Sequence, residues 1–234
     1  MTRYRSVILA AAAAAILCAQ SARKPVFVTP EQLQIAPMLP SPPAADSKQA
    51  AAEFAELHRL QETRTAAQIA AAKADEGEED MFVFKTVLGE KFSKENLPLT
   101  AVLSDHVHND ESFIVNPAKD FFHRPRPYRS DETLKPVCKV NASMTDYAYP
   151  SGHAATGYLE GLVAAMLVPE KRDAILARAD DYAHNRLVCG VHYPSDLEAS
   201  KRTAYAMVAL MLGNVQFQKE LEAAQAETRK ALGL

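Results

Sequence analysis

From Asp46 onward the chain is a succession of segments in which apolar side chains return every three or four positions. Phe54, Leu57, Leu60 and Ile69 mark such a stripe over 46–73, with Asp46 or Ser47 placed to cap its start. Further helices are predicted over 81–88, closed by Gly89, and over 99–109, 111–122, 153–167, 171–188, 195–212 and 215–231. Pro169 separates two of them, and Ser195 and Asn214 stand at cap positions. Period-two alternation is hard to find, and the hairpin dipeptides Asn-Gly and Asp-Gly are absent from the sequence. The pattern predicts an all-α fold, a compact helical bundle, with no internal repeat.

Two segments fall outside that pattern. Residues 1–22 open with Arg3 and Arg5, run apolar from Val7 to Ala19, and end on the small residues Ala19, Ser21 and Ala22. That layout predicts a signal peptide cleaved near residues 19–22. Its apolar run is shorter than the ~20 residues a bilayer span needs. The longest later run, Ala204 to Leu212, is shorter still, so no membrane span and a periplasmic or secreted location are expected. Residues 23–45 carry Pro25, Pro30, Pro37, Pro40, Pro42 and Pro43, which predicts an extended arm ahead of a helical domain at 46–234. The acidic run from Asp75 to Asp80 reads as a solvated turn.

Composition narrows the function classes. At 234 residues with 48% hydrophobic content the chain has enough material for one cored domain and is not wholly disordered. A net charge of -3 argues against a nucleic-acid-binding surface, and no GxxxxGK[ST] phosphate loop occurs. Export would remove Arg3, Arg5 and Cys18, leaving 24 bases against 29 acids, or -5. It would also leave Cys138 and Cys189 as a candidate disulfide in an oxidising compartment, the alternative being two buried thiols.

Three blocks carry chemistry. In the first, Lys119 to Pro127, Pro125 and Pro127 stop the helix so that Arg126 is held in a stiff loop. A fixed guanidinium suits bidentate oxyanion recognition, and Lys119 adds a compact charge. In the second, Ser151, Gly152 and His153 follow Pro150 and open a helix, where unpaired N–H groups form an anion cradle. His153 is there a candidate general acid. The third runs from Arg186 to Asp196. Its His192 and Asp196 are four residues apart, the spacing for a carboxylate to hold one imidazole nitrogen and aim the other. Together they read as a tetrahedral oxyanion site with a nucleophile and a proton donor, which suits phosphoryl transfer. The stretch Asp105-His106-Val107-His108-Asn109-Asp110 has metal-site composition, but His106 and His108 would point to different faces of a helix, and no metal is expected.

Lys119-x6-Arg126-Pro127, Pro150-Ser151-Gly152-His153 and Arg186-x5-His192-x3-Asp196 resemble the three-part signature shared by bacterial non-specific acid phosphatases, type 2 phosphatidic acid phosphatases and vanadium haloperoxidases. The flanking Tyr149 and the run Val188-Cys189-Gly190-Val191 look most like the class A acid phosphatases, which are exported enzymes of comparable size. The resemblance implies the helical fold of that superfamily and hydrolysis of small phosphate monoesters over a broad range, without a cofactor. It implies His192 as the nucleophile that becomes a phosphohistidine, Asp196 as its orienting group and His153 as the acid. Lys119, Arg126, Ser151, Gly152 and Arg186 would then hold the phosphoryl oxygens. Inorganic phosphate and vanadate would compete, phosphotransfer to alcohols is open, and self-association is a common family trait. One departure is Asn185, where the family usually has serine, and retuned phosphate contacts are expected there. The competing readings are a vanadate-dependent haloperoxidase and a non-catalytic phosphate-binding envelope protein.

Overall fold

The structure, a computed structural model, describes residues 23–143 and 145–234. The predicted signal peptide lies outside the described residues. Among those described there is no strand, and nine α-helices follow one another: α1 (Lys48–Thr63), α2 (Ala66–Glu76), α3 (Lys85–Leu88), α4 (Pro98–Phe122), α5 (Pro127–Ser130), α6 (Gly152–Leu167), α7 (Arg172–Cys189), α8 (Pro194–Met211) and α9 (Val215–Leu232). No helix among them is long and apolar enough to cross a membrane.

Helix α6 is the centre, packed against α7, α8, α4 and α9. Its sequence explains why. Leu159, Val163, Ala164 and Leu167 are fully buried, and small residues let the neighbours approach. A Cβ at Gly157 would sit 2.3 Å from Tyr182 Cδ1 of α7, and one at Gly161 would sit 2.9 Å from Ala179 Cβ. A side chain at Gly157 would therefore force α6 and α7 apart.

The helices differ from expectation in three instructive places. The segment 46–73 is broken after Thr63, because Thr65 and Gln68 form a capping box that starts α2. The segments 99–109 and 111–122 are one helix, α4; Asp110 does not interrupt it. Helix α8 begins at Pro194 rather than at a Ser195 cap, with the Asp196 carboxylate accepting the Tyr193 N–H at 2.8 Å. Ser47 and Asn214 do cap α1 and α9.

The Pro-rich arm is not extended throughout, since it turns at Thr29–Leu33 and makes a short 3₁₀ helix at Ala36–Met38, and it is packed on the core. Phe27, Val28, Leu33, Ile35 and Leu39 are buried in the main core. The N–H groups of Val26, Phe27 and Val28 all donate to the Asp110 carboxylate, at 2.6 to 2.8 Å. Prolines deny this stretch a helix, so its backbone donors are satisfied by a side chain instead. Further along, the Tyr149 hydroxyl donates to the Pro40 carbonyl at 2.6 Å.

Candidate active site

The three blocks converge at one end of the bundle, where the start of α6 meets the α7–α8 turn and the loop after α4. Gly190 ends α7 in the left-handed conformation (φ 77°), and the chain reverses into Val191 and His192 before α8 begins. His192 is 1% exposed. Its Nδ1 lies 3.1 Å from Asp196 Oδ2, one turn along α8. The carboxylate fixes the tautomer: Nδ1 carries the proton and Nε2 keeps its lone pair. Arg126 donates to that lone pair through Nη1, which also donates to the Val191 carbonyl at 3.0 Å. Burial, reinforced by Arg126, Lys119 and Arg186, holds the His192 pKa well below the ordinary value, so the imidazole is neutral.

Asp196 is itself held by Arg124 of the first block, which is anchored in turn by Glu53, outside all three. Arg124 Nη1 donates to Asp196 Oδ1 at 2.6 Å and to Ser195 Oγ at 2.7 Å, while Nη2 donates to Glu53 Oε2 at 2.6 Å. The guanidinium stacks on the Tyr193 ring, 3.8 Å from its centre. Glu53, on α1, also accepts the Ser195 N–H at 2.7 Å. Burial raises the Asp196 pKa to about 6, and Arg124 and the Tyr193 N–H limit the rise.

Across the site, His153 projects from the first turn of α6. Its Nε2 lies 3.0 Å from Glu79 Oε1 and 3.3 Å from the Glu76 carbonyl. Burial and the Arg186 charge lower its pKa to about 3. The Glu79 carboxylate acts in the opposite sense, as a bound phosphate dianion would. Arg126 spans both sides, with Nη2 on Asp146 Oδ1 at 2.6 Å.

Two adjoining cavities open here. An inner one of about 270 Å³ is lined by Lys119, Arg126, Gly152, His153 and His192, together with Glu79, His108 and Glu111. An outer one of about 850 Å³ shares Glu79, Arg126, Asp146 and His153, and adds Arg186, Tyr128, Lys73 and Lys139. Burial and the neighbouring Arg126 lower the Lys119 pKa to about 8, and its Nζ donates to the Tyr147 carbonyl at 3.3 Å. Ser151 is fully buried and lines neither cavity; its Oγ accepts the Ala154 N–H as the α6 cap. Cys138 and Cys189 form a disulfide that ties the outer wall to the end of α7.

Several residues depart from the reading of the sequence. The acidic run is not a plain solvated turn: Glu79 and Glu76 face the site, and Asp75 is buried against Arg178. Asn185 gives its amide to Asp75 at 2.7 Å, so it supports the acidic turn rather than a phosphate. His106 and His108 diverge as helix geometry requires. His106 meets Glu220 of α9 at 2.9 Å, while His108 lines the inner cavity. Arg124, Glu53, Glu111 and Asp146 were not singled out, and only Arg124, one of four bases between Lys119 and Arg129, carried any local signal.

An imidazole aimed by a carboxylate into a ring of cations and helix N–H groups, on an all-α scaffold, is chemically suited to hold a tetrahedral oxyanion. Residues 110–220 match the model of the PAP2 superfamily. A non-specific acid phosphatase of Providencia stuartii is 29% identical over 153 residues, covering 63% of this chain and 60% of that protein. An acid phosphatase of Zymomonas mobilis is 32% identical over 138 residues, covering 58% and 52% respectively. A non-specific acid phosphatase of Salmonella typhi is 28% identical over 142 residues, covering 59% and 56%. The matches thus span between about half and three-fifths of these relatives' lengths.

Proposed function

We infer that the chain is an exported acid phosphatase that hydrolyses small phosphate monoesters through a phosphohistidine. One observation carries this reading. His192 is neutral, its Nδ1 is held on Asp196, and its Nε2 lone pair faces the cations that would bind the phosphoryl group.

In the first step Arg126 releases Nε2 and turns its N–H groups to the phosphoryl oxygens. Nε2 forms a bond to phosphorus as the ester P–O bond breaks, and Asp196 stabilises the imidazolium that results. Lys119, Arg126, Arg186 and the Gly152 N–H neutralise the equatorial oxygens, with Ser151 holding that helix terminus in place. His153 Nε2 gives its proton to the departing alkoxide oxygen. In the second step a water gives a proton back to His153 and attacks phosphorus. The N–P bond breaks and phosphate leaves. An alcohol replacing that water would yield a phosphotransfer product. The acid step needs His153 protonated, so activity belongs on the acidic side, where a bound dianion and Glu79 raise the imidazole's affinity for a proton.

The test is hydrolysis of p-nitrophenyl phosphate by residues 23–234, with trapping of a phosphorylated imidazole by an alkaline detergent quench. Turnover with a labelled, acid-labile phosphoenzyme in the wild-type chain and neither in His192→Ala is the expected result. Turnover that survives His192→Ala overturns the assignment.

A further inference from the structure

Glu111 lines the inner cavity, and the reaction above gives it no part. It lies on α4 two turns before Lys119, is 4% exposed, and its Oε1 is buried without a hydrogen-bond partner. Buried polar atoms are seldom left so. The atom is close to the start of α6: a Cβ at Gly152 would lie 3.5 Å from Glu111 Oε1. It therefore stands beside the helix N-terminus and the lysine that receive the oxyanion, on the wall of the same 270 Å³ cavity.

We propose that Glu111 binds the substrate's phosphoryl group as a neutral carboxylic acid, donating its O–H to a non-bridging oxygen between Lys119 and Gly152. The inference rests on the oxyanion reading of the site and adds a residue to it. An ionised carboxylate in that place would repel the ligand, whereas a protonated one supplies a donor from a carboxyl whose Oε1 has no hydrogen-bond partner in the protein. Burial favours the neutral form and raises the Glu111 pKa to about 8, with Lys119 opposing and Glu79 reinforcing the shift. Among the groups around it the cations favour the ionised form and the carboxylates the neutral one, and burial outweighs both. Lys119 and His108 share its helix, Glu79 and Asp146 reach in from loops, and Arg126, His153 and His192 face it across the cavity. The arrangement gives phosphate binding an alkaline limit of its own, set by loss of the Glu111 proton.

The experiment is titration of inorganic phosphate by calorimetry into wild-type, Glu111→Gln and Glu111→Ala chains between pH 5 and 9. Glutamine keeps a neutral donor of the same shape; alanine removes it. Expected are near wild-type affinity for Glu111→Gln at pH 6 and a loss of about 10-fold or more for Glu111→Ala, the scale of a hydrogen bond to a charged group. Above pH 8 the ratio of Glu111→Gln to wild-type affinity should rise, and taking the ratio cancels the ionisation of phosphate itself. A second readout needs no ligand. The folded pKa lies above the ordinary 4.5, so the folded chain keeps a proton that the unfolded chain loses. Stability from this group is full below pH 4.5 and declines towards pH 8, and Glu111→Gln should flatten that decline. If the wild-type chain binds phosphate and Glu111→Ala binds equally well, or if the Gln-to-wild-type ratio is constant with pH, the role of Glu111 is overturned alone. If the wild-type chain binds no phosphate, the oxyanion reading falls with it.

Discussion

The two histidines stand on opposite walls of one cavity and are built in opposite ways. On the His192 side every polar group is answered: His192 by Asp196, Asp196 by Arg124 and the Tyr193 N–H, Arg124 by Glu53 and Ser195. These contacts draw on α1, α8 and the loop after α4, and all the principal groups are buried. On the His153 side the support is thin. One partly exposed carboxylate, Glu79, meets the imidazole, and Glu111 Oε1 has no partner. On the proposed mechanism His192 needs a fixed direction of attack, which closed and complete surroundings would supply. On the same mechanism the proposed acid and oxygen-binding wall would exchange partners when an anion enters, which incomplete surroundings allow. The contrast separates residues whose loss harms the fold from residues whose loss harms only the chemistry.

The strongest way to break that contrast is His192→Ala, which should lower turnover of p-nitrophenyl phosphate by a factor of at least about 10³. A pair of substitutions sharpens it. Arg124→Ala leaves Asp196 and Glu53 buried without their cation, and should cost about 3–5 kcal/mol in urea unfolding. His153→Ala should cost under about 1 kcal/mol in the same assay while removing most activity. Equal losses of stability for the two would erase the distinction. A smaller effect is expected for Glu79→Gln. Without the carboxylate His153 holds its proton less well, so the alkaline limb of kcat/KM should move to lower pH by up to about one unit. A limb that stays put, or moves upward, removes Glu79 from the proton's path. Smallest of all, a chelator should leave activity unchanged. A cavity whose oxygen-binding groups are cationic repels a metal ion, and loss of activity on chelation would demand a different chemistry.

How far the sequence foretold this follows from how local each cause is. Helices α6 to α9 were legible because their stripes and punctuation, such as Pro169, Gly190 and Asn214, act within one or two turns. The break before α2 was also local, since Thr65 and Gln68 spell a capping box, but the alanine-rich run around it hid the signal. The continuity of α4 was not local. Asn109, Asp110 and Glu111 look like a polar interruption until the arm and the cavity are seen to need them. At the site, His192 and Asp196 could be read from i, i+4 spacing alone. Glu53 and Glu79 meet their partners across 71 and 74 residues of chain, the latter by the positions of Glu79 and His153, and no periodicity encodes that. The acidic run was misjudged for the same reason: charge clusters are usually solvated, and only the packing of α2 on α7 turns this one toward the cavity.

The clamp on Asp110 has a consequence for how far the chain can be trimmed. Three successive amides, from Val26 to Val28, converge on one carboxylate that is fully buried and immediately precedes Glu111. Any maturation or engineering cut that stops short of Val26 leaves that grip whole. A cut only three residues further in would take all three amides from a buried negative charge midway along the helix that carries Lys119, leaving it the Asn109 side-chain amide. The boundary between the dispensable and the indispensable N-terminus is thus drawn by a single aspartate more than eighty positions away.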